Sequence, residues 1–293
     1  SPADAIYAVQ NSSLLVLLGE CVVGVAEVAE LGAQCLVKVF AQRWTRKQAL
    51  EAGLLGAVFS FAVAKEARLR LQGYLAAAHC ARDGTDARLL LETGRLGLLV
   101  RQMKCELALS NEENLLALCD VLLEIAMLPG AEELLSAAGL TDAMEQLTGA
   151  GERLCQAGLE VLALAALSEA GRRAGVSAGL LTRLDGQRNR FQPLDAHAAP
   201  FLLLLAGLAK DVDVKRALVT SDCIAFALET ARLHARKERV VVNALLLLAE
   251  LAEEQRGRAQ LRARAPELAQ FAVSGPAAAE GLAQLRAVVE WEP

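Results

Sequence analysis

The chain has 293 residues, 54% hydrophobic but only 4% aromatic, so its core has to be built from Leu, Ala and Val, the residues of closely packed helices rather than of strands. A net charge of −5 and a pI near 5.4 have the wrong sign for a phosphate-tracking surface, which argues against nucleic acid as a partner. Seven cysteines, an odd number with no Cys-x-x-Cys pair, argue against a disulfide framework and for the cytoplasm or another reducing intracellular compartment.

In chain order, the sequence opens on Ser-Pro with no Met and no basic n-region, h-region or cleavage site, so a processed terminus and lost targeting information are expected. One phrase then returns along the chain: "ALEAGLL" at 49–55, "LLETGRL" at 90–96, "LLSAAGL" at 134–140 and "GVSAGLL" at 175–181. Its glycines, Gly53, Gly94, Gly139 and Gly179, are 41, 45 and 40 residues apart, and extrapolation reaches Ser221-Asp222 and then Ala265-Pro266. Backwards it reaches Asn11, a residue that tolerates the left-handed turn nearly as well as Gly. About six periods fit. The first full period has an incomplete neighbour before it, so an upstream piece is expected, the chain then being a fragment of a longer one.

Each anchor follows a short helical turn and precedes an apolar helix, then a polar break, then a longer and more apolar helix. The breaks are "SNEEN" (110–114), "TGAGE" (148–152) and "HARKE" (234–238), which supply caps and early carboxylates suited to helix starts. The longest apolar stretches, 200–209 and 240–252, fall short of the ~18 residues of a spanning helix and read as core helices, so no membrane span is expected. The closing stretch "AAAEGLAQLRAVVEWEP" reads as a last helix, with Trp291 either covering the final layer or fraying as a tail.

Periods of 40 to 47 residues containing two or three helices are the signature of armadillo and HEAT arrays. Through "RLQGYLAAAHCARDGTDARLLLETGRLGLLV" (70–100) and "CQAGLEVLALAALSEAGRRAGVSAGLLTRL" (155–184) the chain resembles the armadillo family, over nearly its whole length. The resemblance implies an all-α, right-handed solenoid of about six three-helix repeats, one domain over 1–293, whose third helices line a concave partner-binding groove.

Import receptors of that family carry an Asn ladder on the third helix with Trp one turn earlier. Fifteen residues before each anchor this chain holds Lys38, His79, Glu124, Ala165 or Ala166, Gly207 and Glu250, with no Asn ladder. One turn earlier stand Gln34, Leu75, Asp120, Val161 or Leu162, Leu203 and Leu246, with no Trp, which argues against a receptor for basic signals. The pattern is graded instead. Polar Gln34, Lys38 and Gln42 lie at one end, carboxylates Asp120 and Glu124 follow, a small apolar centre of Leu162, Ala166, Leu203 and Gly207 comes next, and Asn243, Glu250 and Glu254 close the series. This suits an extended or helical segment of another protein with basic flanks. The plainer alternative is that Ala166 and Gly207 only let helices approach while the carboxylates are solvated.

Catalytic and metal chemistry find little support. His79, His197 and His234 are not at metal-ligand spacing, so no metal and no cofactor are expected. His79 and Cys80 are adjacent on a helix and point about 100° apart, which does not make a shared nucleophilic site. Cys21 and Cys105 recur at one place in their units, which suggests a repeated packing contact, and Gly149 and Gly151 lack the Lys-Ser/Thr end of a phosphate loop. "DGQRNRFQPLDAH" (185–197) departs from the repeat, so Phe191 is a candidate loop contact or part of a plain connector. The basic runs "RWTRK" (43–47) and "RGRAQLRAR" (256–264) read as decoration of solvated helix ends. The expected function is a non-enzymatic, protein-binding scaffold or adaptor, a complex subunit that holds a partner segment. The alternative is a co-chaperone of the kind that serves myosin or acts as an Hsp70 exchange factor.

Overall fold

The computed structural model describes residues 26–92, 95–128, 130–269 and 275–290. Asn11, Cys21, Gly94 and Trp291, named above from the sequence, lie outside the described residues. The chain divides into two compact units, residues 1–143 and 144–293. Among the described residues all regular structure is helical, and no single helix is long and apolar enough to cross a membrane.

The described helices follow, from residue 43 onward, the predicted order of first, second and third helix in a repeat, with one extra turn at 188–191. They are α1 (Ala26–Ala41), α2 (Arg43–Glu51), α3 (Leu55–Ala62), α4 (Ala67–Ala81), α5 (Gly84–Glu92), α6 (Leu96–Leu109), α7 (Glu112–Ala126), α8 (Ala131–Ala137), α9 (Leu140–Thr148) and α10 (Glu152–Leu167). They continue as α11 (Glu169–Ser177), α12 (Leu180–Asp185), α13 (Arg188–Phe191), α14 (Asp195–Leu208), α15 (Val212–Thr220), α16 (Cys223–Leu233), α17 (Glu238–Ala252), α18 (Gln255–Ala263), α19 (Ala265–Ala269) and α20 (Pro276–Glu290). Third helices α1, α4 and α7 stack in sequence within the first unit, and α10, α14, α17 and α20 within the second.

The anchors behave as their chemistry requires. Gly53, Gly139 and Gly179 have φ of +79°, +79° and +65°, and Asp222, reached only by extrapolation, has φ +62°. At Gly179 a β-carbon would meet nothing within 4 Å, so what selects glycine there is the backbone conformation, not space. The extrapolated anchor at 265–266 departs from the series: Arg264 caps α18 at φ −103° and α19 starts at Ala265. Proline is locked near φ −65° and Ala resists the left-handed region, so neither residue can make that turn.

The polar breaks become helix starts. Ser110 takes φ +53°, and Asn111 caps α7 by accepting from the Asn114 amide. Gly151 and Lys237 occupy the cap positions of α10 and α17. Between the third helix of one repeat and the first helix of the next the chain bends sharply, by 118° between α10 and α11. There the Ser168 hydroxyl donates to the Ala165 carbonyl at 2.9 Å and accepts from the Gly171 amide at 3.0 Å. Four residues past the caps of α2, α11 and α18 an arginine reaches back to the end of the preceding third helix: Arg46 to the Phe40 carbonyl (3.0 Å), Arg172 to Leu167 (2.9 Å) and Arg258 to Glu253 (3.4 Å). Helix C-terminal carbonyls that lack an intrahelical partner are satisfied in this way by a cation. Lys215, at the same place in α15, pairs with Glu253 and Glu250 instead.

Each unit has its own core. In the first, Leu36, Phe40, Phe61, Tyr74, Leu118 and Leu122 are fully buried. That core encloses a polar cluster: Glu106 on α6 has no exposed surface, and its carboxylate accepts from Arg70 Nε (2.5 Å), Asn114 Nδ2 (2.9 Å) and Tyr74 Oη (3.0 Å). Arg70 completes its donors on the Ala64 and Lys65 carbonyls, at 3.1 and 2.6 Å. Burial alone would raise the Glu106 pKa, but the hydrogen bonds from Arg70, Asn114 and Tyr74 outweigh it and hold the carboxyl below its ordinary range. Tyr74 is pushed well above the usual phenol range, by burial first and by the Glu106 charge second. In the second unit the core centres on Phe201, with the Phe191 ring 4.8 Å away at 53° and the Phe226 ring 5.9 Å away at 80°. Here α14 lies so close to α10 that a β-carbon on Gly207 would sit 2.9 Å from the Ala166 carbonyl oxygen and 3.0 Å from its Cβ.

Three measurements test this account. Gly179→Val should destabilise the protein by about 1–3 kcal/mol in urea unfolding, because a β-branched residue is forced into the left-handed region, and Gly179→Asn should cost less. Glu106→Gln, which strands the Arg70 charge in the core, should cost about 3–5 kcal/mol. Because the Glu106 carboxyl is depressed in the folded state, its contribution is complete above the unfolded carboxylate range and is lost as pH falls through its folded pKa; the wild type should therefore lose stability with acid more steeply than Glu106→Gln. Gly207→Leu should destabilise the fold by ~1–3 kcal/mol through overpacking against Ala166, and unchanged unfolding would contradict that packing.

Candidate partner-binding faces of the third helices

In the first unit the predicted third-helix slots fall on successive packed helices. Lys38 and Gln34 are exposed on α1, Leu75 and His79 are half-buried on α4, and Asp120 is exposed and Glu124 half-buried on α7. Arg82 bridges the last two helices, with its Nε 3.8 Å from Glu124 and Nη1 3.5 Å from His79 Nδ1. Burial, then the charges of Arg82 and Arg46, lower the His79 pKa and favour its neutral imidazole. Arg68 on α4 stands 3.9 Å from Glu30 on α1. This face is therefore polar and charge-balanced from helix to helix, with Leu75, Leu116 and Leu123 as half-buried apolar ground between the charges.

In the second unit the predicted apolar centre is corrected. Leu162 and Ala166 are 3% and 1% exposed and Gly207 is buried, so three of the four residues lie in the contact between α10 and its neighbours, and only Leu203 is half-exposed. The plainer alternative holds for Ala166 and Gly207. The cause is rotation: each residue along a helix turns about 100°, so a slip of one or two positions in the 40-residue repeat carries a side chain from the face into the core. The outward residues along α10 include Gln156, Glu160, Leu164 and Ala165, all half-buried. Asn243 is likewise internal, with its Nδ2 donating to the Ala199 carbonyl at 2.7 Å and joining α17 to α14. Glu254 caps α18 by accepting from the Gly257 amide.

What faces outward in this unit is a different file. Leu246 on α17 is 46% exposed, beside half-buried Val242 and Ala249, and Leu203 and Leu164 continue the apolar ground on α14 and α10. Glu160 and Arg239 close it on one side through an ion pair of 3.0 Å that links α10 to α17 across the intervening third helix. Glu250 closes the other, 3.8 Å from Lys215, which also pairs with Glu253. Lys237 and Asp195 pair at 2.8 Å.

Phe191 is also corrected. It is fully buried between His197 and Phe201, so it is a core plug and not a loop contact. The segment around it is pinned rather than free: Arg188 donates to the Ser221 carbonyl and hydroxyl, both at 2.8 Å, and Arg190 to the Thr148 and Ala150 carbonyls at 2.9 and 3.0 Å. Where α12 stops early, one turn of α13 delivers an aromatic ring into the space a longer second helix would fill. His197 is buried too, its Nε2 2.9 Å from the Glu152 carbonyl oxygen, to which it donates. Cys105, read as a packing contact, is exposed. Among the described residues no group of three His, Cys, Asp or Glu side chains is placed to hold a metal ion.

No family model and no curated protein matches the chain. Solved structures do. An engineered protein superimposes with a TM-score of 0.83 at 18% identity, over 99% of this chain and 71% of its own. A designed armadillo repeat protein in complex with the peptide (KR)4 gives 0.70 at 18% identity, over 81% and 99%. A structure from work on a phosphorylation switch in the interaction between cadherin and beta-catenin gives 0.73 at 16% identity, over 94% of this chain and 51% of that one. At such identities it is the architecture that is shared, and with it the helix order, the left-handed anchors and the stacked third helices make one case: the chain has an armadillo-like repeat fold, an all-α solenoid.

Proposed function

We propose that the protein is a non-enzymatic scaffold or adaptor that holds a segment of a partner protein along its third-helix faces. The observation that carries this reading is the outward file of the second unit, where Leu246, Leu203 and Leu164 leave apolar surface open between two sets of ion-paired charges. An apolar strip with polar borders is what an amphipathic or extended segment needs: burial supplies affinity and the borders set register. In the first unit Lys38, His79, Asp120 and Glu124 would contribute polar contacts. The fold supports the reading by likeness, since a structural neighbour is a designed repeat protein in complex with a peptide. That neighbour's peptide, (KR)4, is basic, and Glu250 and Glu160 would offer carboxylates to such a segment only by exchanging their present partners. The co-chaperone alternative would use the same faces, and no feature of them favours it.

A reducing compartment, the cytoplasm among them, belongs to the same proposal. Its support is the chemistry of the thiols: Cys80, Cys119 and Cys223 are unpaired and buried, with burial pushing each pKa up to about 12.

The test replaces Leu203 and Leu246 together by Asp in the full chain. Both side chains are open to solvent to some degree, so helicity and the melting transition should change little, while co-purification of the native partner should fall about tenfold or more. Undiminished capture by a folded double variant would remove the second unit's face from the proposal.

A further inference from the structure

The basic run at 43–47, read from sequence as decoration, forms one wall of a cleft in the first unit. The cleft has a volume of roughly 500 Å³ and lies between α2 and the start of α5, lined by Arg43, Trp44, Lys47, Asp83, Thr85 and Asp86. This volume lies in the range of ligand-binding clefts. Trp44 is 50% exposed, although an indole is among the most favourable groups to bury. Nor does the repeat call for it. Two residues past the caps of α5, α11, α15 and α18 stand Thr85, Ala170, Asp213 and Arg256, none of them aromatic. The neighbouring Thr45 and Arg46 are the residues that tie α2 to α1, through the Val39 and Phe40 carbonyls, so Trp44 is not needed for that junction.

The charges in the cleft are unequal in availability. Both carboxylates are committed: Asp86 accepts from buried Arg46 at 2.6 Å, and Asp83 lies 3.3 Å from Arg46 and 3.3 Å from Arg43 while also accepting from the Thr85 amide at 3.2 Å. Of the cations, Arg46 is committed with them, whereas Arg43 and Lys47 are open to solvent. Arg43 turns its Nε to Asp83 but keeps 86% of its side chain exposed, and among the described residues no ion pair engages exposed Lys47. Arg43 and Lys47 are four residues apart on one helix and therefore share a face, with the Trp44 ring beside them. With Arg46 beneath, three cations stand against two carboxylates in a chain whose overall charge is −5.

We infer that the Trp44 cleft is a second docking site, separate from the third-helix faces, for an acidic peptide segment carrying an aromatic side chain. The carboxylates of the segment would meet Arg43 and Lys47, and its ring would lie on the open face of Trp44. Trp and Arg together at one exposed site are the residue types that dominate binding energy at protein interfaces. The local excess of positive charge selects acidic partners, and the acidic remainder of the molecule repels them from other surfaces.

The experiment uses the full chain and blocked pentapeptides in calorimetric titration. EEFEE should bind, with affinity falling as NaCl rises from about 50 to 500 mM, while EEAEE and KKFKK should bind at least about tenfold more weakly. Trp44→Ala and the double variant Arg43→Glu/Lys47→Glu should each weaken EEFEE by about tenfold with helicity unchanged, since all three side chains are exposed. In a Trp291→Phe background, where Trp44 is the remaining tryptophan, EEFEE should shift the emission. The proposal is overturned by absence of heat with EEFEE at millimolar concentration, by equal binding of KKFKK, or by variants that bind as the wild type does. Tighter binding of adenosine monophosphate than of EEFEE would reassign the cleft to a flat phosphorylated small molecule. The Leu203/Leu246→Asp variant should bind EEFEE normally, which separates failure here from failure of the third-helix reading.

Discussion

The rest of the structure depends on how closely a third helix can lie against the helices beside it. On α14 the approach to α10 leaves no room for a β-carbon at Gly207, and on α4 a β-carbon at Gly73 would overlap the Ala62 backbone of α3. Glycine inside a helix costs about 1 kcal/mol relative to Ala, and the contacts it admits offset that cost. Close approach also explains the composition. With helices this near one another, Ala, Leu and Val fill the space between them, and few positions remain where an aromatic ring fits. Of the large rings that are buried, Phe191 sits where the repeat is irregular and Phe40 and Phe61 sit near helix ends, while Tyr74 and Phe201 lie inside third helices.

Stacking leaves the helix ends as the main polar problem, and the chain solves it with a small set of devices used repeatedly. Hydroxyl or carboxylate caps at Ser168, Asp211 and Glu254 satisfy the starts of first helices, and arginines four residues past the caps of α2, α11 and α18 satisfy the ends of the third helices before them. The buried cluster of Glu106 with Arg70, Tyr74 and Asn114 belongs to no such series. It joins α4, α6 and α7 through directional bonds where apolar packing alone would allow the helices to slide.

These constraints decide which surfaces are left for partners. A residue on a third helix faces a neighbouring helix, solvent or the half-buried border between them, and its rotation about the helix axis decides which. Leu162, Ala166, Gly207 and Asn243 are taken by packing, whereas Leu203 and Leu246 stay available, although all six stand on third helices. The Trp44 cleft arises by another route, from a departure of one first helix from the composition of its siblings. Two classes of surface thus coexist: a periodic one made by stacking and a singular one made by substitution.

Much of this was legible in the residues. The returning phrase located Gly53, Gly139 and Gly179 at left-handed turns and, by period alone, Asp222, because a chain reversal makes a local demand on the backbone that a single residue type betrays. The polar breaks marked the starts of α7, α10 and α17 for the same local reason. The faces were not legible to that precision. Whether Leu164 or Ala166 looks outward depends on a rotation of about 100° per residue accumulated over a repeat of irregular length, so an error of one or two residues in register reverses the answer. Phe191 could not be placed at all, since a ring on a polar segment turns inward only if a neighbouring helix has stopped short and left it a space. Nor could the sequence show that Asp83 and Asp86, some forty residues from Arg46, would be taken up by that buried cation and leave Arg43 and Lys47 open to solvent. Turns and caps are decided within a few residues; burial and charge compensation are decided by whatever the fold brings alongside, and that only the tertiary structure determines.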